Sequence, residues 1–136
     1  MSNDVNLYNK NLCFLIRTVN YLNLFSFFLL FLNSHYYHSH PCLLLFLSSN
    51  LFWSNPRKNF IRLFDYFIAI YQLLFHLYYS FVFNCHKFVL PIILTMGFLE
   101  SYSYYFDRIK KYDLCIYFHS GIYIFGNIAV VIIYFN

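Results

Sequence analysis

Residues 64–84, FDYFIAIYQLLFHLYYSFVFN, form an apolar stretch with a single charged side chain, Asp65. About 20 consecutive apolar residues are enough for a helix to cross the hydrocarbon core of a bilayer. The stretch also contains polar or small residues at spacings of three and four, which a helix places along one face. They are Asp65, Ala69, Gln72, His76, Ser80 and Asn84. The pattern predicts a membrane-spanning helix that carries one polar stripe.

Composition points to the same surroundings. Hydrophobic residues make up 61% of the chain and charged residues 10%, whereas a typical soluble domain has about 25% charged residues. So few charged side chains cannot cover a globule of 136 residues, but lipid solvates an apolar surface. The 19 Phe and 15 Tyr are also residues that AT-rich codons encode. Translation of an unselected AT-rich reading frame with no function is therefore a second explanation of the bias.

The apolar segments, separated by polar breaks, indicate an all-α, polytopic membrane protein that forms a single membrane-embedded unit over residues 1–136. Three segments have the length of a span: 12–32, 64–84 and 114–135. Two shorter ones, 36–53 and 88–105, are marginal spans. Gly and Ala bring membrane helices close together, and the chain has only three Gly and two Ala. We therefore expect three to five helices that are aromatic-rich and loosely packed.

Three segments are open to a further interpretation. Residues 33–41 are polar and predict a turn, unless the next span extends back to residue 36. Residues 100–113 hold six charged side chains and predict a loop beside a span. Near the C-terminus, Gly126-Asn127 lies between β-branched runs and is typical of a hairpin turn. A helix is preferred there, because an isolated hairpin leaves unsatisfied strand edges in lipid.

The distribution of Lys and Arg distinguishes the possible topologies. With five spans, eight of the nine basic residues share the N-terminal side, and Lys87 alone lies opposite. This is the asymmetry of cytoplasmic loops, and it predicts a cytoplasmic N-terminus. With three spans the basic residues fall on both sides and the orientation stays undetermined. The charges favour five spans. Part of this asymmetry arises because the two marginal segments, 36–53 and 88–105, end at gaps that contain no charged residue.

Three histidines and a cysteine lie within eight residues of one another in the polar segment: His35, His38, His40 and Cys42. Imidazole and thiolate are ligands that zinc and copper prefer. A metal site needs such groups to converge on one point, with partners that orient the rings. The alternative is an aromatic-rich turn between two spans with no metal.

The stripe residues Asp65, Gln72, His76 and Ser80 are the second candidate site. Ionisable side chains within a span mark a transport pathway, a proton relay or a polar packing seam. Cys115 and His119 are four residues apart at the start of the last span, so they share a helix face and are candidate metal ligands. The stripe is expected to be a relay, a packing seam between helices, or a chance alignment of polar residues with no role.

Several functions find no support in the sequence. There is no G-x-S-x-G nucleophile motif, no Gly-rich phosphate loop and no CxxC pair among the four cysteines. The basic residues are thinly spread, and no polar domain displays a patch for nucleic acid. We therefore predict no enzymatic activity, no cofactor and no nucleic-acid partner.

The sequence as a whole predicts a multi-pass integral membrane protein whose partners are the lipid bilayer and other membrane proteins. The most specific function it favours is that of a non-enzymatic accessory or interaction subunit that binds through aromatic helix faces. The alternatives are a membrane carrier of metal ions or protons that uses the His and Asp side chains, and an unselected reading frame. Which membrane it occupies is not encoded in any short signal.

Overall fold

The computed structural model describes residues 10–54, 56 and 60–135. Five helices account for nearly all of them: α1 (Lys10–Leu32), α2 (Tyr36–Ser54), α3 (Phe60–Val82), α4 (His86–Arg108) and α5 (Tyr112–Phe135). The all-α prediction is confirmed for this part of the chain, including α5, which continues through Gly126 and Asn127 without a hairpin. Residues 54–58, SNPRK, are predicted to form a turn because Pro56 ends the segment that precedes it, and this stretch, with Arg57 and Lys58, lies largely outside the described residues.

Three helices, α1, α3 and α5, are long and apolar enough to cross a membrane by length and composition. A helix of 23 residues, the length of α1 and α3, is about 35 Å long, against a hydrocarbon core of about 30 Å. Helices α2 and α4 have 19 and 23 residues and carry more polar side chains. The bounds of the five helices agree within a few residues with the three spans and two marginal spans predicted from the sequence.

The helices are arranged in a ring that follows chain order. Each helix packs on the next one, and α1 closes the ring by packing on α5. The pairs α1–α2 and α4–α5 are tightly packed, and α3 packs mainly on α2. Helix α3 makes few contacts with α4 and α5, so the ring is weakest where α3 meets them.

Three of the turns use the same backbone device. Ser34, Asn84 and Lys110 follow α1, α3 and α4 with φ of 66°, 57° and 59°. In each case the next residue donates its N–H to a carbonyl five residues back, as His35 does to Leu30 at 2.9 Å. This is the Schellman ending of a helix, which satisfies carbonyls that the helix leaves free. Such short turns make consecutive helices antiparallel neighbours.

The loops predicted at 33–41 and 100–113 are much shorter than expected. Helix α2 begins at Tyr36, which agrees with the alternative in which the span extends back to residue 36. Helix α4 continues to Arg108, so the loop prediction at 100–113 was wrong over most of its length. Pro41 lies inside α2 and cannot donate to the carbonyl of Tyr37. The Nδ1–H of His40 donates to that carbonyl at 2.5 Å, which explains how the helix tolerates the proline.

Apolar side chains lie mainly on the outer surface and many polar ones lie inside, which is the opposite of the distribution in a soluble protein. Many Phe, Tyr and Leu side chains are exposed, for example Phe14, Phe67 and Phe98, each about 70%. The buried set contains seven serines, three asparagines and Asp65, Gln72 and His76. Polar groups therefore lie between the helices and apolar groups on the outer surface, which is the arrangement that suits lipid.

Two apolar clusters occupy the two ends of the bundle. One contains Ile16, Trp53 and Ile116 near the starts of α1 and α5. The other contains Leu30, Val89 and Ile133 at the opposite end. Buried asparagines and Ser26 lie between the clusters along α1 and α5, so the middle of the bundle is its most polar layer.

Replacement of Lys110 by Gly is expected to stabilise the protein. A non-glycine residue in the left-handed region costs about 1 kcal/mol, and glycine adopts it without strain. Reversible unfolding in mixed micelles is expected to show Lys110→Gly as more stable by about 0.5–1 kcal/mol. Lys111→Gly is the matched control, because Lys111 has no positive φ; an equal gain at both positions would contradict the explanation.

Candidate functional site

The four stripe residues of α3 all lie inside the bundle. Asp65, Gln72, His76 and Ser80 are each less than 10% exposed. Their spacing of seven, four and four residues keeps them on one face of the helix, and that face is directed at α2 and α5. Asn84 lies beyond the end of α3 in the turn that precedes α4, and Ala69 is half-buried.

Asp65 joins α3 to α2. Its Oδ1 accepts hydrogen bonds from the hydroxyls of Ser48 at 2.7 Å and Ser49 at 2.6 Å. Among the residues that the structure describes, no Lys or Arg forms an ion pair with Asp65. Hydrogen bonds to a carboxylate are stronger than those between neutral groups, so this contact is a strong link between the two helices.

Gln72 and His76 share a partner on α2. The Nε2 of Gln72 lies 3.6 Å from the Sγ of Cys42, and the Nε2 of His76 lies 3.7 Å from the same sulfur. On its other side, the Nδ1 of His76 is 3.0 Å from the hydroxyl of Tyr134 in α5. Both ring nitrogens of His76 therefore face groups on neighbouring helices.

The predicted metal residues do not share one centre. The rings of His35 and His38 are in edge contact at 5.7 Å, and His38 packs on Tyr79. His40 instead places its Nε2 2.6 Å from the hydroxyl of Tyr71, and Cys42 is directed at α3. In residues 10–54, 56 and 60–135, no three His, Cys, Asp or Glu side chains are grouped as around a metal ion. The metal site stays a prediction.

Cys115 and His119 have separate partners too. The Sγ of Cys115 lies 3.4 Å from the hydroxyl of Ser103, and the Nδ1 of His119 lies 3.5 Å from the Oε2 of Glu100. The four cysteines are free and buried. Each occupies a helix contact, as small apolar side chains do.

The sequence analysis missed an asparagine cluster that links α1 to α5. Asn127 Oδ1 accepts from the hydroxyl of Ser26 at 2.5 Å, and its Nδ2 donates to the Oδ1 of Asn23 at 3.1 Å. Asn23 donates to Asn20 at 2.7 Å, and Asn20 donates to the carbonyl of Phe46 in α2 at 3.0 Å. The available signal was the spacing of Asn20, Asn23 and Ser26, which a helix places on one face.

Glu100 is a second acid with partners on neighbouring helices. It is half-buried, and the sequence analysis assigned it to a loop. It accepts a hydrogen bond from the hydroxyl of Tyr66 on α3 and faces His119 on α5. Closer to the end of α4, Asp107 pairs with Arg62 of α3 at 3.4 Å. These contacts are the main polar links between α3 and α4.

Two adjoining cavities lie between α3, α4 and α5. The larger has a volume of about 320 Å³, and its walls include the stripe residues Asp65, Gln72 and His76. The smaller, about 280 Å³, reaches toward Arg62 and Asp107. The two share four lining residues, Asp65, Tyr66, Glu100 and His119. Most of the larger cavity is apolar, with its acidic groups at one end.

No protein-family model, curated protein sequence or solved structure matches this chain. The arrangement of its own side chains is therefore the basis for the proposals that follow.

Replacement of Asn127 by Ala is expected to loosen α1 from α5. Hydrogen bonds between membrane helices contribute about 0.6 kcal/mol on average and up to about 1.7, and Asn127 makes two of them to α1. Reversible unfolding in mixed micelles is expected to show a loss of about 1–2 kcal/mol.

Thr18→Ala is the matched control, since Thr18 is exposed and bonds only to its own helix, at the carbonyl of Phe14. A double-mutant cycle between Asn23 and Asn127 is expected to give a coupling free energy of about 0.6 kcal/mol, the average for a hydrogen bond between membrane helices. Zero coupling would show that the two amides do not interact in the folded protein.

Proposed function

We propose that this chain is a multi-pass membrane protein in which all five helices cross the bilayer. The reversed distribution of polar and apolar side chains supports this, because α2 and α4 take part in it as fully as α1, α3 and α5 do. The described basic residues support it too. Antiparallel packing brings Lys10, Arg62, Arg108, Lys110 and Lys111 to one end of the bundle and Lys87 to the other, as the positive-inside rule expects.

We further propose that the protein is a non-enzymatic accessory subunit that binds another membrane protein. The observation that carries this proposal is the outer face of α1. Phe14, Tyr21, Phe25, Phe28 and Leu32 are all exposed there. They recur at spacings of seven, four, three and four, which is the seam of a left-handed helix pair. Buried polar residues hold the opposite face of α1 on α2 and α5, so the aromatic seam is free to meet a partner helix.

The carrier alternative has weaker support. A relay needs side chains that exchange protons along a path, and between Asp65 and His76 the α3 stripe has only the amide of Gln72, since the hydroxyls of Tyr66 and Tyr71 are directed at Glu100 and His40. Between Asp65 and His76, the walls of the larger cavity are mainly apolar. Asp65, Gln72 and His76 each contact a side chain on a neighbouring helix, which favours a packing seam. Unchanged growth and unchanged pH-dependent flux after His76→Gln would agree with the seam.

Cysteine labelling distinguishes five spans from three. With five spans, Lys87 and Lys111 lie on opposite sides of the membrane; with α1, α3 and α5 alone, they lie on the same side. A membrane-impermeant maleimide applied to intact cells is therefore expected to label Lys87→Cys and not Lys111→Cys. The native cysteines are buried and serve as the background control.

Both variants are expected to stay in the membrane fraction after carbonate extraction. Equal labelling of the two positions would overturn the five-span proposal. Absence of any product from the native locus under varied growth conditions would instead favour an unselected reading frame.

The accessory role predicts an assembly that depends on the aromatic seam. Leucine at Phe14, Phe25 and Phe28 preserves hydrophobicity but removes the rings that fill a helix interface. After gentle digitonin extraction, the wild-type chain is expected to migrate well above the monomer, and the triple variant to shift to the monomer. The matched control places leucine at Phe88, Phe98 and Tyr102, which are exposed on α4. A monomeric wild type, or an equal shift in both triple variants, would contradict the proposal.

A further inference from the structure

The larger cavity extends along two helices. Its lining extends along α3 from Asp65 to Leu77 and along α4 from Val89 to Glu100. These spans correspond to about 16–18 Å of helix, which is close to half of the roughly 30 Å hydrocarbon core. The cavity therefore has the length of a lipid chain in one leaflet.

The middle of the cavity is apolar and accessible from the side. Ile70, Leu73, Ile93 and Met96 line it, and Ile70 is about half exposed on the outer surface. Helices α3 and α4 make few contacts here. A hydrocarbon chain can therefore enter between α3 and α4 from the surrounding lipid.

One end of the cavity is acidic. Asp65 and Glu100 lie there with His119, and the adjoining smaller cavity adds Asp107. Three of the five acidic residues of the chain thus surround one interior region, although the chain as a whole has a net charge of +4. Arg62 pairs with Asp107, and His119 faces Glu100. Within the described residues, the side chains that donate hydrogen bonds to Asp65 are the neutral hydroxyls of two serines.

A second observation concerns Gln72, beside the middle of the same cavity. Gln72 is 7% exposed, and its Oε1 has no hydrogen-bond partner among the described residues. Buried acceptors normally have a donor. The unpaired Oε1 of Gln72 is buried within the wall of the cavity. The groups that the cavity offers to a polar head group are therefore the carboxylates at its end, which favour a head group that donates hydrogen bonds.

From this geometry we infer that the cleft between α3 and α4 binds a single-chain amphiphile with an ammonium head group. Its hydrocarbon chain lies along Ile70, Leu73, Ile93 and Met96. Its ammonium group lies between Asp65 and Glu100, where it supplies the positive charge that a desolvated carboxylate requires. This inference goes beyond the accessory role and does not depend on it.

The chemistry of the site separates this ligand from two others. The side chains around Asp65 and Glu100 are not grouped as metal ligands in the described part of the chain, whereas an ammonium needs only acceptors at hydrogen-bond distance. A fatty acid would place its carboxylate beside Asp65 and Glu100, and like charges repel in a low-dielectric interior. The acidic end therefore selects the charge of the head group, and the apolar walls select the chain.

Trp53 provides a built-in probe, because it is the only tryptophan and lines the smaller cavity beside His119. The probes are octadecylamine and octadecanoic acid, each with a nitroxide on the same carbon close to the head group. They are titrated into the full chain in neutral maltoside micelles while Trp53 fluorescence is recorded. The amine is expected to quench Trp53 at a concentration about tenfold lower than the acid does.

Two variants test the site. Glu100→Gln retains the size of the side chain and is expected to remove most of the preference for the amine. Gly97→Leu fills the cavity, since a Cβ at Gly97 meets no atom within 4 Å, and it is expected to weaken quenching by both probes. Ala69→Leu fills the cavity from α3 and replaces Gly97→Leu if that variant does not fold. Phe98→Leu, on the exposed surface of α4, is the control and is expected to change neither titration.

Three results would overturn the inference. Equal quenching by amine and acid would mean that the cleft does not recognise the head group. Quenching that is unchanged in the folded cavity-filling variants would mean that the probes reach Trp53 from the micelle. A preference for the amine that survives Glu100→Gln would mean that the ammonium binds away from the acidic end.

Discussion

Hydrogen bonds between polar side chains inside the bundle are the interaction on which the rest of this structure depends. In lipid, apolar side chains gain little by facing one another instead of the acyl chains, so helix association relies on close packing and on polar contacts. Asn127 links α5 to α1, and Asp65 links α3 to α2. Asn20 extends the asparagine cluster from α1 to α2, so three side chains join three of the helix pairs of the ring.

Serine is the small residue at the helix contacts here, where many membrane bundles have glycine and alanine. The scarcity of Gly and Ala led us to expect aromatic-rich packing, and aromatic contacts do join helices, as Phe106 and Phe118 do between α4 and α5. Seven serines are buried as well. A serine is small enough to let two helices approach, and its hydroxyl can bond within its own helix, as Ser39 and Ser80 do. Many other aromatic side chains face outward. Packing is open mainly where α3 meets α4, and the two cavities lie there.

The same opening connects the two proposals. Where polar contacts are dense, as between α1 and α2 and between α1 and α5, the helices pack closely, and the outer face of α1 carries the aromatic seam. Where they are few, as between α3 and α4, Glu100 and Asp107 provide the main links, and a chain-length cavity remains. An accessory protein with this design would bind a protein on one side and an amphiphile on the other.

Particular residues show how far the sequence could be interpreted. Helix positions followed from apolar segment lengths, and the inward direction of the α3 stripe followed from its spacing. The loops at 33–41 and 100–113 were overestimated, because polarity was taken as evidence against a helix. His40 and Glu100 are polar, but they find partners on neighbouring helices, as Tyr71 does for His40 and His119 for Glu100. A single sequence does not reveal such pairs, since they join residues about 20 to 35 positions apart.

The sequence by itself determined the class of structure. Its high share of hydrophobic residues and its few charged residues favour a membrane environment, its segment lengths produce helices of bilayer length, and helical periodicity decides which residues share a face. Only the tertiary structure decided which faces meet. It directed Cys42 to His76 instead of to the nearby histidines, and it gathered three of the five acids around one cavity. The physical reason is that periodicity is a local property of each helix, whereas polar pairing depends on the rotation and depth of every helix relative to its neighbours.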